Sequence, residues 1–206
     1  WQPTLAPSAK FFDNLQEFSQ RHKQLGNKLS HLQPGKIAIS ETLDGGHCYL
    51  KRHSNGQWFP YTETDRPLVL AKEALYRIEG DLEANNRPLV ILGLNPGLIL
   101  DVLFNHLQEN VYSKGQKRRL YVIVENIECL YGWLKLADRR DIINNENVYF
   151  HSVDDEAICD NWQYGVDSAV DFVALSTLPP HRSSQCSELL RERLKKGKIE
   201  VGGAVL

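Results

Sequence analysis

The residues best placed by type and spacing to do chemistry lie in "VILGLNPGLILDVL", residues 90–103, and at the ends of the two apolar runs that follow it. The first run breaks once, at Gly93-Leu94-Asn95-Pro96-Gly97, and resumes with helical spacing. Glycines at such a break allow a ligand close to the backbone, because no Cβ stands in the way, or they simply supply the positive φ of a tight strand-to-helix turn. Glu125 closes "LYVIVE", and Asp154 and Asp155 follow "NVYFHSV". An acid ending a second strand can accept hydrogen bonds from both hydroxyls of a ribose, and one after a third can reach an adenine amino group. Glu125 is the sharper candidate, because it closes its apolar run directly. Solvated strand ends are the plain alternative for both.

Other groupings are weaker. His47, Cys48 and His53 hold metal-ligating atoms, but neighbours on a strand point to opposite faces, so His47 and Cys48 do not converge and no metal site is expected. Ser176 and His181, beside Pro179-Pro180, lack a Gly-x-Ser-x-Gly elbow and a third partner. His181 is expected on an exposed loop. "SKGQKRRL" gathers Lys114, Lys117, Arg118 and Arg119 into a basic connection that reads as solvated, with contact to phosphate or an acidic partner as the functional alternative. Trp58, Phe59 and Tyr61 could stack on a sugar, or close a small β unit onto its neighbour.

The elements that must position these residues are legible from periodicity. Residues 8–30 carry Phe11, Phe12, Leu15, Phe18, Leu25 and Leu29 at helical steps, with a break expected at Gly26. From Lys36 the period changes to two, in "KIAISETL", "HCYLKR" and "QWFPY", separated by Asp44-Gly45-Gly46 and Ser54-Asn55-Gly56. That pattern predicts a three-stranded antiparallel meander. A helix follows, with Asp65 as its N-cap and Pro67 in its first turn. Strand-length apolar runs then alternate with helices over roughly 97–110 and 127–138, and a last helix spans about Ser183 to Lys196. This alternation is the mark of an α/β doubly wound, mostly parallel sheet, in which ligands bind at the carboxyl ends of the strands.

Composition narrows the function. In 206 residues, 24 Lys and Arg face 26 Asp and Glu, so no net field draws the chain to nucleic acid or an anionic membrane. Cys48, Cys129, Cys159 and Cys186 are widely spaced and read as reduced thiols. No run approaches the about 18 to 20 apolar residues of a membrane span, and no signal pattern opens the sequence. A cytoplasmic location is expected, with neither nucleic acid nor membrane as partner. The chain begins at Trp1 and contains no methionine, which reads as trimming, and "KIEVGGAVL" reads as a strand or linker leading into something further.

Two resemblances follow from these motifs. Over roughly residues 88–180, the glycine turn, Glu125 and Asp154 resemble the cofactor positions of class I S-adenosylmethionine-dependent methyltransferases. Ile91 stands where that family has an acid, and Asn95 replaces its middle glycine. More of the chain resembles the N-terminal domain of the motility-associated factor (Maf) flagellin glycosyltransferases. The meander, "YTETDRPLVLAKEAL", "LGLNPG", "YVIVE" and "NVYFHSVDD" follow its order. Thr64, Asp65, Pro67 and Glu73 match its Ser-x-Tyr-Asp-Pro stretch and helix acid, although Arg66 intrudes; Gly93 and Gly97 match its turn and Glu125 its acid. That resemblance implies a Rossmann-like domain at 67–206, preceded over 1–66 by the helix and meander. It further implies a non-catalytic role, with a protein acceptor or a C-terminal catalytic domain as partner. Catalytic residues are therefore left unassigned. Gly93, Asn95, Gly97, Glu125 and Asp154 are the candidate cofactor-binding residues, with S-adenosylmethionine the cofactor under the methyltransferase alternative. A Rossmann-like interaction scaffold without cofactor is the third reading.

Overall fold

The computed structural model describes residues 1–62, 64–84, 87–109, 118–162 and 171–202. The chain opens with α1 (Phe11–Arg21) and α2 (Lys23–Ser30). The break between them falls at His22, not at the expected Gly26. Gly26 has a packing role instead: a Cβ there would sit 2.7 Å from Ser19 Cα, so its absence lets α2 lie close against α1. Buried Asn14 then ties α1 to the main body by donating to the carbonyls of Leu134 and Ala137.

The predicted meander is present as β1 (Ile37–Glu41), β2 (His47–Arg52) and β3 (Trp58–Pro60), antiparallel in that order. Gly45 and Gly56 take the positive φ that their turns require. Helix α3 (Pro67–Ala84) begins at Pro67, which leaves Arg66 rather than Asp65 at the cap position. The side chain that accepts from the Val69 amide comes from the β1–β2 turn, where Asp44 also accepts from Thr42 and Gly46. One carboxylate thus closes a turn and caps a helix from another element, a pairing that local sequence cannot announce.

The second sheet is wholly parallel, with strands β4 (Leu89–Leu92), β5 (Leu120–Val124), β6 (Val148–Ser152) and β7 (Val173–Ser176) in the order β6-β5-β4-β7. The chain is therefore α/β, with a Rossmann-like parallel sheet and a small antiparallel meander. Leu89 through Leu92 are all buried, as expected for a strand covered on both faces. Leu89, Ile91 and Val122 share one core with α4 (Leu98–Glu109), α5 (Ile127–Leu136) and residues of α1, α2 and the meander. Val90, Leu92, Tyr121 and Ile123 face a second core with α7 (Ile158–Asn161) and α8 (Pro180–Gly202). A short α6 (Arg140–Ile143) precedes β6.

Helix α8 starts at Pro180, three residues before the expected Ser183, and runs to Gly202. "KIEVG", residues 198–202, is thus helical rather than strand or linker, and the rest of that stretch lies outside the described residues. Lys114 and Lys117 of the basic connection lie outside the described residues. Arg118 donates to the carbonyls of Arg87 and Leu82, and Arg119 to that of Asn161, so both serve backbone acceptors. Among the described residues, no helix is long and apolar enough to cross a membrane.

Candidate functional site

The parallel sheet turns back on itself beside β4. After β4 the chain goes on to β5 and β6 on one side, and it returns to place β7 on the other. At such a switch point the loops leaving neighbouring strands diverge to opposite faces and open a crevice at the carboxyl edge. A cleft of about 830 Å³ lies there, within the size range of small-molecule sites. Asn95 from the β4 turn, Glu125 from the end of β5, and Ser176 and Thr177 from the end of β7 form its base. One wall is α3, with Glu73 and Arg77; the other is the start of α8, with Arg182. Tyr61, Thr62 and Thr64, on the way out of the meander, complete it.

The five sequence candidates fare differently. Asn95 and Glu125 line the cleft. Gly93 and Gly97 both have positive φ, of 80° and 82°. The space a side chain would occupy at each is already filled by the chain itself. A Cβ on Gly93 would lie 2.8 Å from Leu178 Cδ2, and one on Gly97 would lie 2.7 Å from Trp133 Cδ1 and 2.8 Å from the Tyr49 hydroxyl. The peptide between Asn95 and Pro96 is cis. Asp154 is not brought to the cleft. Its carboxylate accepts from the Ser152 hydroxyl and from Lys28 of α2, and these partners hold it below the usual carboxylate range.

Glu125 is mostly buried and is engaged by Arg182, whose guanidinium donates to its carboxylate across the cleft. Glu73 and Arg77 form a looser pair at 3.9 Å on α3. Asn95 is fixed from two sides: its amide donates to the Tyr61 carbonyl, and its own carbonyl accepts from Thr177. Its Oδ1 is buried and has no hydrogen-bond partner. Tyr61 donates its phenolic proton to Glu128, which also accepts from Lys51 at 2.9 Å. Burial first, then that carboxylate, pushes the Tyr61 phenol well above its ordinary value, so it stays a donor. Cys129 lines the cleft, but burial pushes its thiol far up, and it is no nucleophile near neutral pH.

Beneath the turn lies a buried polar network that the sequence did not suggest. Arg139 donates to Asp101 at 2.8 Å, and the Trp133 indole donates to the same oxygen at 3.0 Å. The guanidinium also sits 5.0 Å from the Trp133 ring centre. His47 Nε2 lies 3.2 Å from the Pro96 carbonyl, and burial first, then Arg139, lowers its pKa to about 4. The neutral ring therefore donates to that carbonyl. Tyr49 fills the slot between Gly97 and Gly132, where a Cβ on Gly132 would meet its ring at 2.6 Å. The signal for this slot was present as two glycines flanking apolar runs, but only the fold shows that one tyrosine joins them.

The remaining groupings do not converge. Cys48 follows His47 on β2 and is buried with its thiol pushed up to about 11. Among the described residues, no group of three metal-ligating side chains is assembled. His181 is exposed, in the first turn of α8 rather than in a loop. Of the three aromatics, Tyr61 joins the meander to α5, whereas Phe59 is exposed beside His53 and Trp58 lies under Arg52.

Comparison with family models, curated proteins and solved structures returns no match for this chain.

Proposed function

We propose that the chain is a non-catalytic, Rossmann-like portion of a Maf-like glycosyltransferase acting on protein acceptors of the flagellin type. The observation that carries this reading is convergence. Thr64 and Glu73, which the resemblance draws from the meander exit and the following helix, line the same cleft as Glu125, which it draws from the parallel sheet. Positions as far apart in the chain as Thr64 and Glu125 meet at one edge, where a sheet of this topology binds ligands.

The filled turn supports the non-catalytic part. Leu178 occupies the approach to Gly93, and Trp133 with Tyr49 occupies that to Gly97. A nucleotide-type cofactor needs that approach open. Glu125 already serves Arg182. The methyltransferase reading keeps one observation in its favour, a strand-end acid lining a switch-point cleft.

The test uses the complete natural polypeptide that contains this chain. Transfer of a nonulosonic acid from its CMP donor to a flagellin-type protein is the expected result. No transfer by that polypeptide, or methylation from S-adenosylmethionine by the chain itself, would overturn the proposal.

A further inference from the structure

The hydrogen-bonding groups of the switch-point cleft favour one ligand class, whether or not the chain belongs to a glycosyltransferase. Among the described residues its charged lining is two pairs: Glu125 with Arg182 on one side, Glu73 with Arg77 on the other. A free phosphate or carboxylate would have to displace Glu125 from Arg182, and a cation would have to displace Arg182 from Glu125. An anion that takes Arg182 leaves the mostly buried Glu125 without its partner, which costs more than the exchange returns, and a cation that takes Glu125 stays beside the like charge of the half-exposed Arg182. A hydroxyl escapes this conflict because it donates and accepts at once. It can give its proton to the carboxylate and take one from the guanidinium of the same pair.

The uncharged lining has the same mixed character. Thr62 Oγ1 accepts from the Thr64 amide at 3.4 Å, and Thr64 Oγ1 accepts from the Arg66 amide at 3.1 Å, so both hydroxyl protons are available to donate. Thr177 spends its proton on the Asn95 carbonyl and keeps its lone pairs as acceptors. Asn95 lines the cleft, and its Oδ1 is a buried acceptor without a donor. Leu70, Leu94 and Leu178 supply apolar surface between these groups. We infer that this cleft is a binding site for a neutral saccharide, whose hydroxyls bridge the Glu125–Arg182 pair while its C–H faces lie on the leucines.

The experiment is a ¹H–¹⁵N chemical-shift titration of the intact chain with N-acetylglucosamine, galactose and myo-inositol, with glucuronate, glucosamine and AMP as comparators. At least one neutral ligand should shift the Thr62 and Thr64 backbone amide resonances and the Asn95 side-chain amide resonance with a millimolar Kd. Glu125→Gln should weaken that ligand about tenfold, the loss of a hydrogen bond to a charged acceptor, and should admit glucuronate by freeing Arg182. Arg182→Gln, an exposed position, is the second variant and should weaken the neutral ligand while leaving glucuronate excluded; the amide spectrum reports whether each variant is folded. Shifts with AMP or glucuronate alone in the wild-type chain, or none with any neutral ligand, would overturn the inference. Such a failure leaves the transfer assay on the complete polypeptide to stand or fall separately.

Discussion

Gly97→Ala separates a turn packed shut from a turn merely bent. Two glycines share a φ of 82°, Gly56 in the β2–β3 turn and Gly97 at the end of the β4 turn. A Cβ on Gly56 has nothing within 4 Å, whereas one on Gly97 meets Trp133 Cδ1 at 2.7 Å and the Tyr49 hydroxyl at 2.8 Å. Alanine at Gly56 therefore costs only the left-handed backbone, about 1–2 kcal/mol, less a few tenths recovered from the stiffer unfolded chain. Alanine at Gly97 carries the same backbone cost plus overpacking against two fully buried aromatic residues, about 1–3 kcal/mol more. Because the dihedral is matched, the difference between the variants isolates the packing contribution. Urea unfolding followed by tryptophan fluorescence gives both values on one scale. A Gly97→Ala cost within about 0.5 kcal/mol of the Gly56→Ala cost would mean that the space beside Gly97 is open, and the structural reading of the turn would fail.

Three further outcomes follow from the network under the turn. Tyr49→Phe removes a buried hydroxyl that has no hydrogen-bond partner, so it should leave stability unchanged or raise it by about 1 kcal/mol; a loss of that size in the urea midpoint would reveal a partner for the hydroxyl. Asp101→Asn leaves buried Arg139 without its carboxylate and should cost about 3 kcal/mol, whereas Glu125→Ala, which breaks a pair whose arginine is exposed, should cost under about 1 kcal/mol; equal costs would contradict the assigned burial. Stability should also fall as pH drops from about 6.5 toward 4. His47 and His22 have folded pKa values near 4 against an ordinary 6.5, so the unfolded state binds more protons throughout that window, at about 3 kcal/mol for His47 alone. The depressed Asp44, Asp138 and Asp154 add losses only below the ordinary carboxylate range. His47→Gln should flatten part of the slope, and a urea midpoint constant between about pH 7 and 5 would refute the buried neutral histidines.

Periodicity carried most of the architecture. The change from helical steps to a period of two at Lys36 located the meander, and the four-residue apolar run at Leu89–Leu92 marked a strand covered on both faces. Nonlocal partners were what the sequence withheld. Asp65 is the obvious cap for α3, yet Asp44, 25 residues before Val69, accepts from the Val69 amide, because the β1–β2 turn is folded against the helix start. Gly26 looked like a helix breaker and is a contact residue for Ser19. Within the candidate site, strand order placed Asn95 and Glu125 correctly at the carboxyl edge, since any doubly wound sheet puts its strand ends there. It could not reveal that Leu178 would cover Gly93, that Arg182 would hold Glu125, or that Lys28 would hold Asp154 just beyond β6, outside the cleft. Each depends on a side chain from a distant element, and one-dimensional spacing contains no term for that.

The glycine turn is closed by the protein's own side chains, Leu178 beside Gly93 and Trp133 with Tyr49 beside Gly97, and a nucleotide-type cofactor is expected to find no room there. Calorimetric titration of the purified chain with S-adenosylhomocysteine, with a CMP-linked sugar run in parallel, tests it most directly. No heat of binding with either ligand is the predicted result. Micromolar binding of S-adenosylhomocysteine that is lost in Glu125→Ala would contradict the account and make the cleft a methyltransferase-type cofactor site.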